Sequence, residues 1–135
     1  MSARRLDATA LQEWAHTAVT HLIARTDEIN RLNVFPVADA DTGTNMLFTM
    51  RAAGARAESL RDVDVDVASV AAALAEGALQ GARGNSGVIL SQILRGVADV
   101  AAGAADESNG VLVEIDGPLL AAALRHAVVL ADASV

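Results

Sequence analysis

Apolar side chains recur every three or four residues along most of this chain, a spacing that places them on one face of an α-helix. The pattern predicts a first helix over about residues 7–30, with Asp7 as its cap. The remaining helices are predicted over about residues 42–57, from a cap at Asp66 through Leu79, over about residues 86–102, and from Asp116 onwards. The pattern contains neither an internal repeat nor a confident βαβ unit. The predicted fold class is therefore all-α.

The links between these helices carry their own signals. The acidic segment Asp62–Asp66 alternates like a strand but is short, and it is interpreted as a loop that ends in the cap Asp66. Residues 103–115 are mostly small and polar and are interpreted as a flexible connection. Pro118 falls in the first turn of the last helix, where its missing N–H costs little. Trp14 lies on the apolar stripe of the first helix and is predicted to lie in the core.

The composition limits how such helices can pack. The 135 residues correspond to one domain at most, and 53% of them are hydrophobic but only 2% are aromatic. Small side chains must therefore fill the interior, which favours close approach of the helices. Uncharged apolar stretches are shorter than the roughly 18 residues of a membrane span, so no transmembrane segment is expected. The absence of cysteine and of an N-terminal apolar signal core fits a cytoplasmic location.

The charge balance argues against several functional classes. The formal net charge is −7, which argues against non-specific nucleic-acid binding. All ten basic residues are arginine, so a Schiff-base lysine and a Walker-type phosphate loop are both excluded. Any phosphate site must instead use arginine, backbone N–H groups, hydroxyl groups or a metal ion.

Two carboxylates, Asp39 and Asp41, lie just before the second predicted helix. Pro36 and Gly43 flank them, so they are predicted to lie in a turn, where alternate side chains can point to one centre. Hard anionic oxygens suit Mg²⁺, and the N–H groups that open the following helix favour an anion. This arrangement predicts a site for a phosphate–Mg²⁺ complex.

Other interpretations of this acidic pair fit less well. An EF-hand loop that starts at Asp39 requires glycine at position 44 and glutamate at position 50, where this chain has Thr44 and Met50. A haloacid-dehalogenase phosphatase motif would not have glycine at position 43, and Pro36 disfavours the central strand that precedes that motif. A solvated acidic turn without function remains open.

A second glycine-rich turn, Gln80–Gly87, precedes the fourth predicted helix. Both turns contain residue types that cap helices, so ordinary capping is one interpretation. In the other interpretation, both helix N-termini converge on one polyanion. The paired carboxylates favour this second interpretation, because they would repel phosphate unless a cation lay between them. The capping candidates are Thr42, Thr44 and Asn45 in the first turn and Asn85 and Ser86 in the second.

Two long motifs in this chain are highly specific in combination. They are Leu32-Asn-Val-Phe-Pro-Val-Ala-Asp39-Ala-Asp41-Thr-Gly-Thr-Asn-Met46 and Gly81-Ala-Arg-Gly-Asn-Ser-Gly-Val-Ile-Leu-Ser-Gln-Ile-Leu-Arg-Gly96. In this order and spacing they resemble the DhaL-like nucleotide-binding domains of the dihydroxyacetone kinase-related family. Within that family, the chain looks most like the N-terminal domain of bacterial fatty acid kinase A subunits. The resemblance covers essentially the whole chain, so one DhaL-like ATP/Mg-binding domain is expected over residues 1–135.

The resemblance implies an antiparallel helical barrel that binds ATP and two Mg²⁺ ions at one rim. It implies that Asp39 and Asp41 hold the metal ions, with Asn33 as a further candidate ligand. The residues that it places beside the phosphates or metals are Thr42, Gly43, Thr44, Asn45, Met46, Gly84, Asn85, Ser86 and Gly87. The family usually has Pro-Asp-Gly-Asp where this chain has Ala38–Asp41, so one rigid and one permissive backbone position are absent.

By the same resemblance, the reaction is transfer of the γ-phosphoryl group of ATP to a fatty acid carried by a separate binding protein, which yields an acyl phosphate. Dihydroxyacetone or a similar small ketone is the alternative acceptor. The family pattern continues past Val135, so the chain is expected to contain about the first five helices of the barrel. Uncovered helix faces would then favour self-association, and a catalytically inactive interaction module is the alternative to a kinase.

Overall fold

The computed structural model describes residues 5–32, 41–60 and 65–134. Within these ranges the chain forms five α-helices and one pair of two-residue strands. The helices are α1 (Ala8–Leu32), α2 (Thr42–Glu58), α3 (Val67–Gln80), α4 (Gly84–Glu107) and α5 (Gly117–Ala133), and the strands are β1 (Leu6–Asp7) and β2 (Glu114–Ile115). The predicted all-α class is confirmed, and the architecture is consistent with a DhaL-type fold.

Three helices begin behind an aspartate whose carboxylate accepts a hydrogen bond from the backbone N–H three residues later. The pairs, with their N···O distances, are Asp7–Ala10 (2.9 Å), Asp66–Ser69 (3.0 Å) and Asp116–Leu119 (2.9 Å). The predicted caps Asp7 and Asp66 are confirmed, and α5 begins where the sequence predicts, with proline in its first turn. These helix starts follow from local sequence, because donor and acceptor are near neighbours in the chain.

The core is built mainly from alanine, with leucine as the next most frequent buried residue. Consecutive helices pack on one another, and α2 also contacts α4. α4 approaches α5 closely at Gly96, where a Cβ atom would lie 2.5 Å from the Cα atom of Ala127. The predicted close packing of small residues is therefore observed. The largest fully buried residues are Met50, Leu74, Val67, Val70, Thr49 and Ser91.

The segment between α4 and α5 is more ordered than the sequence predicts. α4 extends to Glu107, and Leu112 is bonded on both sides to the start of α3. Its N–H donates to Asp66 Oδ2 at 2.8 Å, and its carbonyl oxygen accepts from the N–H of Val67 at 3.1 Å. β2 then pairs antiparallel with β1, with Ile115 opposite Leu6. The interpretation of residues 103–115 as a flexible connection is wrong, because backbone pairing with distant segments holds residues 112–115 in place.

Helix α4 is long and apolar enough to cross a membrane by length and composition alone. This is weak evidence for a span, because the core helix of a globular domain passes the same test. α4 contacts α2, α3 and α5, and it carries the charged residues Arg95 and Asp99 within its apolar stretch. Its packing is that of a central helix in a helical domain.

Trp14 is 46% exposed rather than buried in the core. It lines an apolar surface cavity of about 370 Å³ together with Leu120 and Leu124 of α5. The helical spacing correctly places Trp14 on the apolar side of α1. The spacing does not reveal that, in the described part of the chain, no element covers Trp14 completely.

Candidate functional site

The start of α2 is held by a side chain from α1. Asn30 Oδ1 accepts the N–H of Gly43 at 2.7 Å, and Asn30 Nδ2 donates to Thr44 Oγ1 at 3.2 Å. Asp41 is the N-cap residue, but its side chain makes no capping bond to the helix. The amide of Asn30 therefore supports this helix start from a separate element. No local sequence signal marks Asn30, because its partners follow it by 13 and 14 residues.

Gly43 is buried between α1 and α2. A Cβ atom at this position would lie 2.6 Å from the backbone oxygen of Thr26 and 3.1 Å from Asn30 Oδ1. Its N–H is already bonded to Asn30, so in this structure Gly43 serves the packing of two helices. Among its predicted neighbours in the site, Thr42 is also buried, whereas Thr44, Asn45 and Met46 are half-buried.

The start of α4 has no side-chain cap. Arg83 is the N-cap residue and makes no capping bond, and the first helical bond runs from the N–H of Gly87 to the carbonyl oxygen of Arg83 at 3.1 Å. The N–H groups of Gly84, Asn85 and Ser86 precede that bond and have no intrahelical acceptor. Gly84 has a φ of +64°, in the left-handed region that favours glycine.

Asn85 and Ser86 do not cap α4. The helix begins at Gly84, so both residues lie inside the first turn rather than before it. The capping interpretation of this turn is therefore wrong. The physical reason for this failure is the left-handed backbone conformation of Gly84, because it starts the helix one residue before Asn85 and two before Ser86.

The two glycine-rich turns lie against each other. A Cβ atom added at Gly84 would collide with the side-chain amide of Asn45, in the first turn of α2. A Cβ atom added at Gly87 would collide with Thr49 Oγ1, one turn further along α2. The structure thus brings the first turn of α4 into contact with the first two turns of α2.

Two contacts anchor the residue that opens α4. The backbone N–H of Arg83 donates to Thr49 Oγ1 at 3.2 Å. The guanidinium carbon of Arg83 lies 4.2 Å from the centroid of the Phe48 ring, which is a cation–π geometry. Backbone and side chain of Arg83 are therefore both attached to α2.

The predicted metal ligands are only partly covered by the structure. Asn33 and Asp39 lie outside the described residues, whereas Asp41 is exposed at the N-cap of α2. Within residues 5–32, 41–60 and 65–134, no group of three or more acidic, histidine or cysteine side chains could hold a metal ion. The assignment of Asn33, Asp39 and Asp41 as metal ligands stays a prediction.

Comparisons with known proteins give a family match over most of the chain. The family model described as the DAK2 domain matches residues 36–134. The matched range contains Asp39, Asp41 and both glycine-rich turns, but it excludes Asn33 and α1.

Individual relatives show the same likeness. Protein YloV of Bacillus subtilis is 48% identical over 96 residues, which cover 71% of this chain and 17% of YloV. The uncharacterized protein SSP1546 of Staphylococcus saprophyticus is 38% identical over 92 residues, 68% of this chain and 16% of that protein. The chain therefore spans less than a fifth of the length of these two relatives. On the family match, the chain belongs to the DAK2 domain family, a family of dihydroxyacetone kinase-related domains.

Proposed function

We propose that this chain is the nucleotide-binding part of an ATP- and Mg²⁺-dependent kinase. The observation that carries the proposal is the meeting of two helix starts, where Gly84 of α4 lies against the side chain of Asn45 in α2. Helix N-termini favour phosphate through their unpaired N–H groups and their dipole. The family relates to kinases and its domains generally bind nucleotide, which supports the same function.

The chemistry of the donor set fits a Mg²⁺–nucleotide complex. Asp41 is an exposed residue at the N-cap of α2, and carboxylate oxygens are the ligands that Mg²⁺ prefers. Asp39 and Asn33 join Asp41 as proposed ligands on the sequence motif alone. Bound Mg²⁺, two ions in this proposal, would neutralise charge on the β- and γ-phosphates.

The two turns have separate roles in this proposal. The acidic turn before α2 holds the cations, and the turn at the start of α4 donates backbone N–H groups to phosphate oxygens. Gly84 and Gly87 have no side chains of their own, which lets the side chains of Asn45 and Thr49 in α2 lie directly against the backbone of the α4 turn. The N–H of Gly43 is committed to Asn30, so its part is to fix the start of α2 rather than to bind phosphate.

We further propose that the acceptor is the carboxylate of a fatty acid presented by a separate binding protein, with an acyl phosphate as product. This step rests on the sequence resemblance described above. The alternative acceptor is dihydroxyacetone or a similar small ketone. The proposed location is the cytoplasm, where ATP and Mg²⁺ are available.

An interaction module is the competing class of function. The apolar cavity beside Trp14 and the exposed Leu120 and Leu124 of α5 favour some association through this face. Self-association of the chain is the proposal here, and sedimentation velocity measures it. A chain that associates but binds no Mg²⁺–ATP would favour the module over the kinase.

Isothermal titration calorimetry with Mg²⁺–ATP tests the nucleotide proposal. The Asp39→Ala, Asp41→Ala double variant should bind at least about tenfold more weakly than wild type, because each substitution removes a proposed ligand to the cation. The matched control is the double variant Asp106→Ala, Glu107→Ala, which removes two exposed carboxylates at the other end of α4.

Equal affinity in wild type and the Asp39→Ala, Asp41→Ala variant would exclude the metal role of this pair. An equal loss in the control variant would assign the effect to net charge instead. Absence of Mg²⁺–ATP binding to wild type would contradict the nucleotide function of this chain.

A further inference from the structure

We propose that Thr49 is the positioning residue that holds the phosphate-facing turn of α4 against α2. The inference rests on the proposed nucleotide function and assigns a role to a residue outside the two sequence motifs. Thr49 does not contact a ligand in this proposal. It acts through the backbone of the turn that does.

Thr49 is fully buried, and its hydroxyl group is used in both directions. Oγ1 donates to the carbonyl oxygen of Asn45 at 2.7 Å, within α2. The same oxygen accepts the N–H of Arg83 at 3.2 Å, across 34 residues of sequence. One hydroxyl therefore joins the first turn of α2 to the residue that opens α4.

The same oxygen also limits the other end of the turn. Thr49 Oγ1 occupies the space that a side chain at Gly87 would need. The N–H groups of residues 84–86, which have no acceptor within α4, thus lie between the two residues of the turn that Thr49 Oγ1 meets, Arg83 before them and Gly87 after them. A side chain that fixes both ends of a short turn determines where its N–H groups point.

Burial of a hydroxyl does not by itself produce such a link. Ser91 of α4 is also buried, but its Oγ donates to the carbonyl oxygen of Val88 in the same helix. Ser91 therefore stabilises only its own helix in the part of the chain that is described. This makes Ser91→Ala a matched control for loss of a buried hydroxyl.

The test compares Thr49→Val, which removes the hydroxyl at similar volume, with Thr49→Ser, which keeps it. Thr49→Val should weaken Mg²⁺–ATP binding about tenfold by calorimetry, and Thr49→Ser should stay within about threefold of wild type. Ser91→Ala should lower the melting temperature without changing the affinity for Mg²⁺–ATP. Amide hydrogen exchange without nucleotide should accelerate at residues 83–87 in Thr49→Val, but not in Ser91→Ala.

Three outcomes would overturn the inference. Equal nucleotide affinity in wild type and Thr49→Val would remove the positioning role while leaving the nucleotide function intact. A tenfold loss in Thr49→Ser would assign the effect to packing of the methyl group rather than to the hydroxyl. Wild type that binds no Mg²⁺–ATP would contradict the proposed function and this inference together. If Thr49→Val does not fold, Thr49→Cys gives the same comparison, because a thiol is only a weak hydrogen-bonding group.

Discussion

The start of α3 and the start of α4 deal with the unpaired N–H groups of a first helical turn in opposite ways. At α3, one carboxylate oxygen of Asp66 accepts from the N–H and hydroxyl of Ser69, and the other accepts from the N–H of Leu112. At α4, the cap residue Arg83 makes no side-chain bond to the turn that follows it. The α3 start is therefore bonded to its own cap residue and to Leu112, whereas the α4 start has no bond from the side chain of its cap residue.

The difference has a consequence for where a ligand can bind. α1, α3 and α5 share the aspartate cap, whereas α2 and α4 lack a bond from their own cap residue. The two starts without such a cap are the two that lie in contact, Gly84 against Asn45. Their support comes instead from residues on other elements, Asn30 for α2 and Thr49 for α4. In the proposed function, phosphate binds to the backbone N–H groups of the α4 turn, where Arg83 makes no side-chain cap bond.

The largest loss of stability is expected from a substitution of Asp66 at the start of α3. Asp66→Ala removes the acceptor of three hydrogen bonds and should lower the free energy of unfolding by about 2–3 kcal/mol. Asp116→Ala removes a single capping bond at α5 and should cost about 1 kcal/mol. Urea unfolding measures both values. A loss at Asp66→Ala no greater than at Asp116→Ala would mean that the bonds from the Ser69 hydroxyl and the Leu112 N–H contribute nothing.

At the start of α4, a substitution at Gly84 is expected to change the affinity for nucleotide. Gly84 and Gly110 have φ values of +64° and +86°, so an alanine at either position should cost about 1 kcal/mol of stability. Only the new Cβ atom at position 84 would meet another side chain, that of Asn45, whereas nothing lies within 4 Å at position 110. Gly84→Ala should therefore weaken Mg²⁺–ATP binding about tenfold, roughly 1.4 kcal/mol, and Gly110→Ala should not. Equal affinities in the two variants by calorimetry would make the α4 start a purely structural turn.

The smallest expected effect is a pH dependence of the free energy of unfolding that comes from Asp66 at the start of α3. Burial of the Asp66 carboxyl group opposes its ionisation, but hydrogen bonds from Ser69 and Leu112 outweigh burial and hold its pKa below the usual 3.8. A folded-state pKa below the unfolded one gives stability that is present above pH 3.8 and is lost as pH falls through the folded-state pKa. Wild type should therefore lose more stability than Asp66→Asn as pH is lowered below 3.8. Parallel unfolding curves for the two proteins across this range would contradict the hydrogen-bonded carboxylate.

Sequence patterns were reliable wherever the decisive contact is local. The caps Asp7 and Asp66 could be predicted because each carboxylate and its N–H donor are three residues apart. The same approach failed at residues 103–115, because Leu112 takes its order from Asp66, 46 residues away. It also failed for Trp14, because a helical stripe identifies an apolar face but not whether a neighbouring element covers it.

The same distinction between local and long-range contacts applies to the candidate site. The sequence motifs predicted the residues of both turns, and the ligand roles of Asn33, Asp39 and Asp41 stay predictions. Five amphipathic helices, the aspartate caps and the two glycine-rich turns were determined by the sequence alone, because they depend on side chains within one or two turns of each other. Only the tertiary structure decided that Asn30 supports Gly43 and that Thr49 joins α2 to α4. Those bonds span 13 and 34 residues, and they exist only once the helices have packed.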